Sequence, residues 1–165
     1  MQGDLTEIQN YMCMNRLTII VNKTKYMIFS SGFKPTVFDF LLELNTVSIE
    51  RVSTFKYLGL VFDDKLNWRS HIDYIVAKIN PMIKVLFRLR DSVPWKINLS
   101  VYFALIHSHF NYMSNVWGSC TQNCLKTLEI LQKRALKILF KLLYLTLTSK
   151  LFNLLPVLPI KSIIF

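Results

Sequence analysis

The sequence predicts an α+β protein in which short antiparallel β-hairpins come first and a bundle of helices follows. Short aromatic and β-branched runs, separated by turn residues, fill positions 1–66. Apolar residues repeat at helical spacing over long windows of positions 67–165. The two patterns meet in the stretch 52–68, which starts as a strand and ends as a turn. We therefore predict two regions, 1–66 and 67–165.

Charge and composition narrow the classes of partner. The chain has 165 residues, a hydrophobic content of 52% and a formal net charge of +10. A chain that is both apolar and this basic is expected to fold around a core and to meet an anionic partner, either nucleic acid or membrane headgroups. The polar start is unlike a secretory signal, and an odd count of three cysteines favours a reducing compartment. We expect an intracellular location, cytoplasmic or nuclear.

The first region is predicted to alternate strands and turns after a short amphipathic helix over 5–14. The turn residues lie at 22–25, at 45–46 and in a loop over 30–35, and Gly59 interrupts the last strand. Strands are predicted at 17–21, 26–29, 38–44, 47–52 and 55–62.

The second region is predicted to hold three helices. Ser70 and Asp73 form a capping-box pattern at the start of the first, and Pro81 is expected to kink or split it. Ser92 is expected to cap the second helix, which runs towards Phe110. The last long helix is predicted over 124–145, about 33 Å at 1.5 Å per residue, with one apolar and one basic face. Two prolines prevent a continuous helix over 148–165.

No catalytic or metal site is predicted from the acids, histidines and cysteines. Asp63 and Asp64 imitate the acidic pair of a polymerase, but two-metal phosphoryl transfer needs carboxylates that converge from separate strands. We interpret the pair as the turn that ends a strand. His107 and His109 are two residues apart in a predicted helix and point to different faces, so they do not form a zinc site with Cys120 and Cys124.

Five stretches of the chain, in order, resemble the reverse transcriptases of non-LTR retrotransposons, especially the jockey-like group. The resemblance extends over nearly the whole chain. It implies an RNA-directed DNA polymerase with a right-hand fold, in which region 1–66 is the end of the palm and region 67–165 is the thumb. The stretches are NRLTIIVNKTKYMIF (15–29), FKYLGLVFDDKLNWRSHI (55–72), VWGS (116–119), LQKRALKIL (131–139) and TSKLFNLL (148–155).

The chain departs from this family in its catalytic motif. The family carries its catalytic carboxylates on an earlier palm strand and on a Phe/Tyr-Ala-Asp-Asp turn ahead of the first stretch, and neither is present. We therefore expect a fragment that binds an RNA/DNA primer-template at most, with no small-molecule substrate of its own. The resemblance implies Mg²⁺ only for an intact polymerase, so no cofactor is expected in this chain.

The resemblance also indicates which residues would contact nucleic acid. Lys23 and Lys25 fall beside the incoming nucleotide, although solvated turn lysines are the simpler interpretation. The run from Lys56 through Tyr57 and Leu58 to Gly59 resembles the primer grip, the hairpin that holds the primer 3′ end; a packed core strand is the alternative. The thumb helices would track the phosphate backbone, or merely present a polar face. Their candidate contacts are Lys84, Arg88, Lys133, Arg134 and Lys137.

Two other functions remain open. The charge also fits a stand-alone basic nucleic-acid-binding module. A peripheral membrane protein that uses the helix over 124–145 and the apolar tail is less favoured. Because the palm strands that would pair with this region are missing, we also expect self-association through exposed sheet edges.

Overall fold

The computed structural model describes residues 2–30, 40–143, 152 and 156–164. The chain divides into two compact units, Met1–Leu66 and Asn67–Phe165. The division falls at the residue where the sequence pattern changes from strands to helices. Short strands and one helix lie in the first unit, and the described part of the second unit is helical. The predicted α+β class is therefore confirmed.

The first unit is built from short elements. Its strands form three two-stranded ribbons in the described residues: β2 with β3 and β5 with β6 are antiparallel, and β1 with β4 is parallel. The elements are α1 (Gln2–Met14), a 3₁₀ turn (Val21–Lys23), β1 (Lys25–Tyr26), β2 (Glu43–Leu44), β3 (Val47–Ser48), β4 (Glu50–Arg51), β5 (Thr54–Tyr57) and β6 (Leu60–Asp63).

The strand prediction for 17–21 was wrong, since residues 17–20 are irregular and Val21–Lys23 is a 3₁₀ turn. Local hydrogen bonds explain the difference. The backbone N–H groups of Lys23 and Thr24 donate to the carbonyl of Ile20 at 3.0 and 3.1 Å, and the Thr24 hydroxyl donates to the same carbonyl at 3.0 Å. A side chain that bonds its own backbone in this way competes with a strand ladder.

The prediction of one strand over 55–62 was also wrong, because the chain reverses in its middle. Leu58 has φ 46° and Gly59 has φ 84°, so both central residues of a two-residue turn are left-handed. This is the backbone of a type I′ hairpin turn, whose twist matches that of the flanking strands. Tyr57 therefore pairs with Leu60 across the β5–β6 hairpin, and Phe55 pairs with Phe62.

The remaining strands are shorter than predicted, although the turn at 45–46 is confirmed. Only Tyr26 of the predicted strand 26–29 lies in a strand, and its ribbon is parallel. The predicted strand 47–52 is interrupted at Ile49, whose N–H donates to the carbonyl of Leu42 at 2.8 Å. Most of the predicted loop 30–35 and the start of the predicted strand 38–44 lie outside the described residues.

The core of the first unit is small. Leu42, Leu44 and Ile49 are buried, and Leu5 and Tyr26 are among the half-buried residues that pack on them. The Gln2 side chain ties α1 to β2, because it donates to the Glu43 carbonyl at 2.9 Å and accepts from the Glu43 N–H at 3.2 Å. The helix predicted over 5–14 is confirmed, but none of its residues is buried.

The second unit is a set of packed helices. α2 packs on α6, and α3 contacts both of them. A π-helical segment, Phe103–His107, joins α3 to α4 without a break. The helices are α2 (Arg69–Leu89), α3 (Trp95–Tyr102), α4 (Ser108–Asn111), α5 (Ser114–Trp117), α6 (Gln122–Leu139) and α7 (Ile160–Ile164).

The start of α2 differs from the predicted capping box. The helix begins at Arg69, so Ser70 lies inside it and does not serve as the N-cap. Trp68 precedes the helix in a left-handed conformation, with φ 64°, and the Asn67 side chain accepts a hydrogen bond from the Arg69 N–H at 2.9 Å. The cap is therefore made outside the predicted motif.

Pro81 does not split α2, which is continuous over its 21 residues. A proline inside a helix removes the bond to the carbonyl four residues earlier, here that of Ala77, which lies on the exposed side. Ile79 and Ile83 on either side of Pro81 are buried. Tertiary packing of the apolar stripe therefore outweighs the loss of one backbone bond.

The predicted cap at Ser92 was wrong, because α3 begins at Trp95 with Pro94 as its N-cap residue. A residue that precedes proline is restricted away from the helical region, so Val93 is disfavoured as part of a helix. The helical path then runs on through the π segment to Asn111, as predicted towards Phe110.

The last long helix is shorter than predicted. α6 ends at Leu139, which gives 18 residues and about 27 Å. Lys141 has φ 54°, its N–H donates to the Ile138 carbonyl, and the Leu142 N–H donates to the Lys137 carbonyl. These two bonds form a Schellman C-cap, which usually carries glycine at the left-handed position. Residues 144–145 of the prediction, and 148–151 and 153–155 of the tail, lie outside the described residues.

Gln132 ties the end of the chain to the helical core. Its side chain is buried and donates to the Leu158 carbonyl at 2.9 Å and to the Tyr102 hydroxyl at 3.3 Å. It also accepts from the Ile160 N–H at 3.1 Å. The contact places α7 against α6. A Cβ on Gly118 would meet the Ser114 carbonyl oxygen at 2.6 Å and the Ile164 side chain at 2.4 Å. Only glycine fits at that approach.

Candidate nucleic-acid interface

The second unit has a groove between the C-terminal halves of α2 and α6 that we call the basic groove. It consists of two depressions of about 700 and 250 Å³, which share Arg134 and Ile138 in their walls. Among the described residues, the cationic side chains that line it are Lys84, Arg88, Arg90, Lys133, Arg134 and Lys137.

Helical spacing and packing place these cations together. Lys84 and Arg88 are four residues apart on α2, one turn along the face opposite the buried stripe. On α6, helical spacing likewise places a basic face beside the buried Ala135 and Leu136. This face carries Lys133, Arg134 and Lys137. Because α2 packs on α6, the two basic faces come to one surface. All five helix residues predicted as contacts therefore lie in one groove, and their role stays a prediction.

Ion pairs leave part of this charge available. Glu129 forms ion pairs with Lys133 at 3.7 Å and with Lys161 at 3.1 Å. Asp91 pairs with Lys141 at 2.6 Å and with Arg90 at 3.1 Å, and the hydrogen bonds from Lys141 and then Arg90 lower the pKa of its carboxyl. Over residues 2–30, 40–143, 152 and 156–164, no carboxylate forms an ion pair with Lys84, Arg88 or Arg134. These three are free to meet an anion.

Phe87 lies in the groove and was not predicted from the sequence. Its side chain is 51% exposed, lines the smaller depression, and has the Arg90 guanidinium carbon 4.1 Å from the centre of its ring. A guanidinium over an aromatic face is a cation–π contact. The sequence did carry a signal, since Phe87 is an aromatic residue off the apolar stripe of α2 and next to Arg88.

The β5–β6 hairpin carries the second set of predicted contacts. Tyr57 and Leu58 are 58% and 64% exposed at its tip, so the alternative of a packed core strand is wrong for these two side chains. Gly59 supplies the second left-handed position of the turn. Lys56 lies on the other face of the ribbon from Tyr57, because successive strand residues alternate. The four residues do not form a single contact surface.

A pocket of about 270 Å³ lies along the Tyr57 face of the hairpin. Phe55 and Phe62, a cross-strand pair, line it together with Tyr57 and with Lys25 from β1. Lys25 forms an ion pair with Glu50, its partner in the β1–β4 ribbon. Lys23 is exposed in the 3₁₀ turn and does not line this pocket. The structure thus brings Lys25 and Tyr57 together and leaves Lys23 and Lys56 outside.

The acidic pair forms the turn that was predicted. Asp63 is buried at the end of β6, and its side chain accepts a hydrogen bond from the Lys65 N–H at 3.1 Å. Asp64 is part of the following turn, and its carbonyl accepts from the Ser30 N–H at 3.1 Å. Asx turns of this kind terminate strands.

The histidines and cysteines of the second unit form no metal cluster. In the described part of the chain, no group of three or more His, Cys, Asp or Glu side chains is arranged to hold an ion. Burial lowers the pKa of His107 and of His109, and nearby Lys78 lowers that of His109 further. Burial raises the pKa of the Cys120 thiol to about 11, which keeps it protonated and unreactive.

Comparisons with known proteins do not assign the chain to a family. No protein-family model, curated protein or solved structure matches the chain. The helices that the structure describes include none of the length and apolarity that crossing a membrane requires.

Proposed function

We propose that this chain is an intracellular nucleic-acid-binding part of a polymerase similar to reverse transcriptases, which holds a primer-template and does not polymerise by itself. The observation that carries the proposal is the basic groove, where cations from α2 and α6 come to one surface. The five ordered sequence stretches support the polymerase part. No further candidate function has an observation of this kind behind it.

The charges of the groove fit a phosphate backbone. Lys84, Arg88 and Arg134 can bind phosphates without giving up an ion pair to any described carboxylate, and each contact releases condensed counterions from the nucleic acid. Three contacts predict that log K falls with log salt at a slope of roughly −2 to −3. Arg88 and Arg134 add planar donors that suit two phosphate oxygens at once.

The hairpin supplies a second contact in this proposal. Tyr57 presents an exposed ring for stacking on a sugar or base, and the turn at Gly59 lets backbone amides approach a phosphate. Lys25 borders the same pocket but is held by Glu50, so we assign it a weaker contribution.

An experiment that neutralises cations tests the groove. The variant Lys84→Gln/Arg88→Gln/Arg134→Gln is compared with Lys65→Gln/Lys78→Gln/Lys126→Gln, which removes the same charge from exposed positions outside the groove. Fluorescence anisotropy with a labelled RNA–DNA primer-template that has an unpaired template end, titrated at several KCl concentrations, should show a loss of affinity of roughly 10-fold or more for the groove variant and a shallower salt slope. Equal losses in the two variants, or binding that ignores salt, would contradict the proposal.

Primer extension tests the polymerase part separately. With Mg²⁺, deoxynucleotides and a primed RNA template, we expect binding without DNA synthesis. Robust synthesis would overturn the statement that the chain does not polymerise by itself. Sedimentation with anionic liposomes in place of binding to nucleic acid would favour a peripheral membrane role instead.

A further inference from the structure

A second exposed aromatic side chain lies beside the basic groove. Trp95, at the start of α3, is 51% exposed and lines a depression of about 420 Å³ together with Arg90, Phe140 and Lys141. Arg90 also lines the larger depression of the basic groove, so the two surfaces adjoin. The cationic surface thus runs from Phe87 to Trp95.

Each of the two rings has a cation beside it. The guanidinium carbon of Arg90 is 4.1 Å from the centre of the Phe87 ring, and the ammonium of Lys96 is 5.9 Å from that of Trp95. The Phe140 ring supports Trp95, with centroids 6.2 Å apart and planes at 45°. A base that stacks on either ring would therefore have a positive charge close to its own phosphate.

Aromatic rings of this kind distinguish unpaired from paired strands. In a duplex each base is covered on both faces by its neighbours, so a side chain has no face to stack on. Unpaired bases stack on aromatic side chains irrespective of sequence, while cationic groups follow the backbone. The combination seen along this surface is the one that single-strand binding proteins use.

We propose that the basic groove and the adjoining Trp95 surface bind an unpaired strand of RNA or DNA. Phe87 and Trp95 each stack on a base, and Lys84, Arg88 and Arg134 hold the phosphates. This inference rests on the proposed function and deepens it, since it names the form of nucleic acid that the groove selects.

The test compares unpaired and duplex forms of one 12-nucleotide sequence, made as RNA and as DNA, at fixed KCl. The variant is Phe87→Leu/Trp95→Leu, and the matched control is Tyr11→Leu/Tyr112→Leu, which removes two rings exposed at 63% and 50% outside this surface. We expect the unmodified chain to prefer the unpaired strand. The variant should lose roughly 10-fold or more in affinity for the unpaired strand, because each base stacked on a ring contributes to the binding free energy. Its affinity for duplex should fall by less than about 2-fold.

A conservative variant separates stacking from folding. Phe87→Tyr/Trp95→Phe keeps both rings and should retain affinity for the unpaired strand to within about 3-fold. Salt-dependent binding with no preference for the unpaired strand, or equal losses in variant and control, overturns this inference and leaves the proposed function standing. Absence of all nucleic-acid binding overturns both. The RNA and DNA arms show whether the 2′-hydroxyl is also recognised.

Discussion

The two units of this protein cover their apolar side chains to different extents. In the second unit Ile79, Leu86 and Trp117 are fully buried, and helices on several sides contribute to one core. In the first unit only a few described apolar residues are buried, and Ile8 and Tyr11 of α1 are 48% and 63% exposed. Among the described residues, the second unit thus buries many apolar side chains in its core, and the first unit buries few.

The difference follows from how each kind of element satisfies its backbone. A helix bonds its own N–H and C=O groups, so an amphipathic helix needs only a neighbour for its apolar stripe. A strand needs another strand on each side, and an isolated two-stranded ribbon is marginally stable. The ribbons described in the first unit have two strands each, and apolar residues within them, such as Val47 and Tyr57, are exposed. We therefore expect the first unit to be the weaker one.

The largest expected effect is on assembly. Open strand edges and exposed apolar residues predict that the chain self-associates, with an average mass above that of the monomer in light scattering. Val47→Lys on β3, which among the described residues pairs with β2 alone, should lower this mass because a charge on an edge opposes pairing. Ile97→Lys, at a similarly exposed position of α3, is the control. The monomer mass at every protein concentration would refute the expectation.

Truncating a buried leucine in each unit should show whether the two units unfold separately. Leu128→Ala removes a fully buried side chain of α6 and should lower the free energy of unfolding by about 2–5 kcal/mol. All three tryptophans lie in the second unit, so their fluorescence reports its unfolding. Leu44→Ala in the first unit should leave the urea midpoint of this signal unchanged. A comparable shift from Leu44→Ala would show that the units unfold together.

Gln132 should contribute almost as much as a core side chain. Gln132→Leu would leave the Ile160 N–H and the Leu158 carbonyl without their partner, at a cost of about 2–3 kcal/mol. The exposed Gln122→Leu, at the start of α6, should change stability by less than about 0.5 kcal/mol. Urea unfolding followed by tryptophan fluorescence measures both. Equal midpoints for the two variants would argue against a bonded role for Gln132.

Acid should weaken the second unit through His71. Its imidazole is buried among Trp68, Tyr74 and Trp117, and burial lowers its pKa from 6.5 to about 4. The unfolded chain then binds the proton more readily than the folded one, so stability is full above pH 6.5 and falls as pH is lowered towards 4. The loss is on the order of 3 kcal/mol.

The matched variant for this pH effect is His71→Phe, which keeps a ring in the same cluster. It should flatten the dependence of the urea midpoint on pH between 6.5 and 4, with a residual slope from His107 and His109, whose pKa values burial also lowers. An unchanged slope in the variant would assign the acid sensitivity to other groups.

The smallest expected effect is at the hairpin turn. Leu58 adopts φ 46°, a left-handed conformation that leucine disfavours and asparagine tolerates. Leu58→Asn should stabilise the hairpin by about 0.5–1 kcal/mol, seen as slower amide exchange in β5 and β6. Leu66 has a similar φ of 51° but lies outside the hairpin, so Leu66→Asn is the control. Faster exchange in the Leu58 variant would contradict this interpretation of the turn.

Much of the second unit was predictable from its sequence. The apolar stripe of α2 is buried where the 3.6-residue period places it, and α6 buries Leu128, Leu131 and Ala135 on its predicted apolar face. The errors lie at helix ends. α3 begins after Pro94, later than predicted, and α6 ends in a cap in which Lys141 takes the left-handed position that glycine usually occupies. Caps depend on single backbone conformations, which periodicity does not encode.

The candidate interface was predictable only in pieces. Spacing on one helix shows that Lys84 and Arg88 share a face, and the same holds for Lys133 and Lys137. That these faces meet in one groove depends on how α2 packs against α6. Phe87 carried a sequence signal in its place off the apolar stripe, whereas Trp95 joins the surface through the packing of α3 on α2 and α6.

The sequence by itself determined the α+β class, the point at which strands give way to helices, and the polar and apolar faces of the long helices. Those properties follow from the periodicity of apolar and polar residues, which is a pattern among residues close together in the chain. Tertiary structure decided which faces meet, how short the ribbons of the first unit are, and that Leu58 and Gly59 reverse the chain. Contacts between residues distant in sequence set the first two outcomes. The third depends on the backbone of single positions, since Leu58, like Trp68 and Lys141, adopts a left-handed conformation that its residue type disfavours.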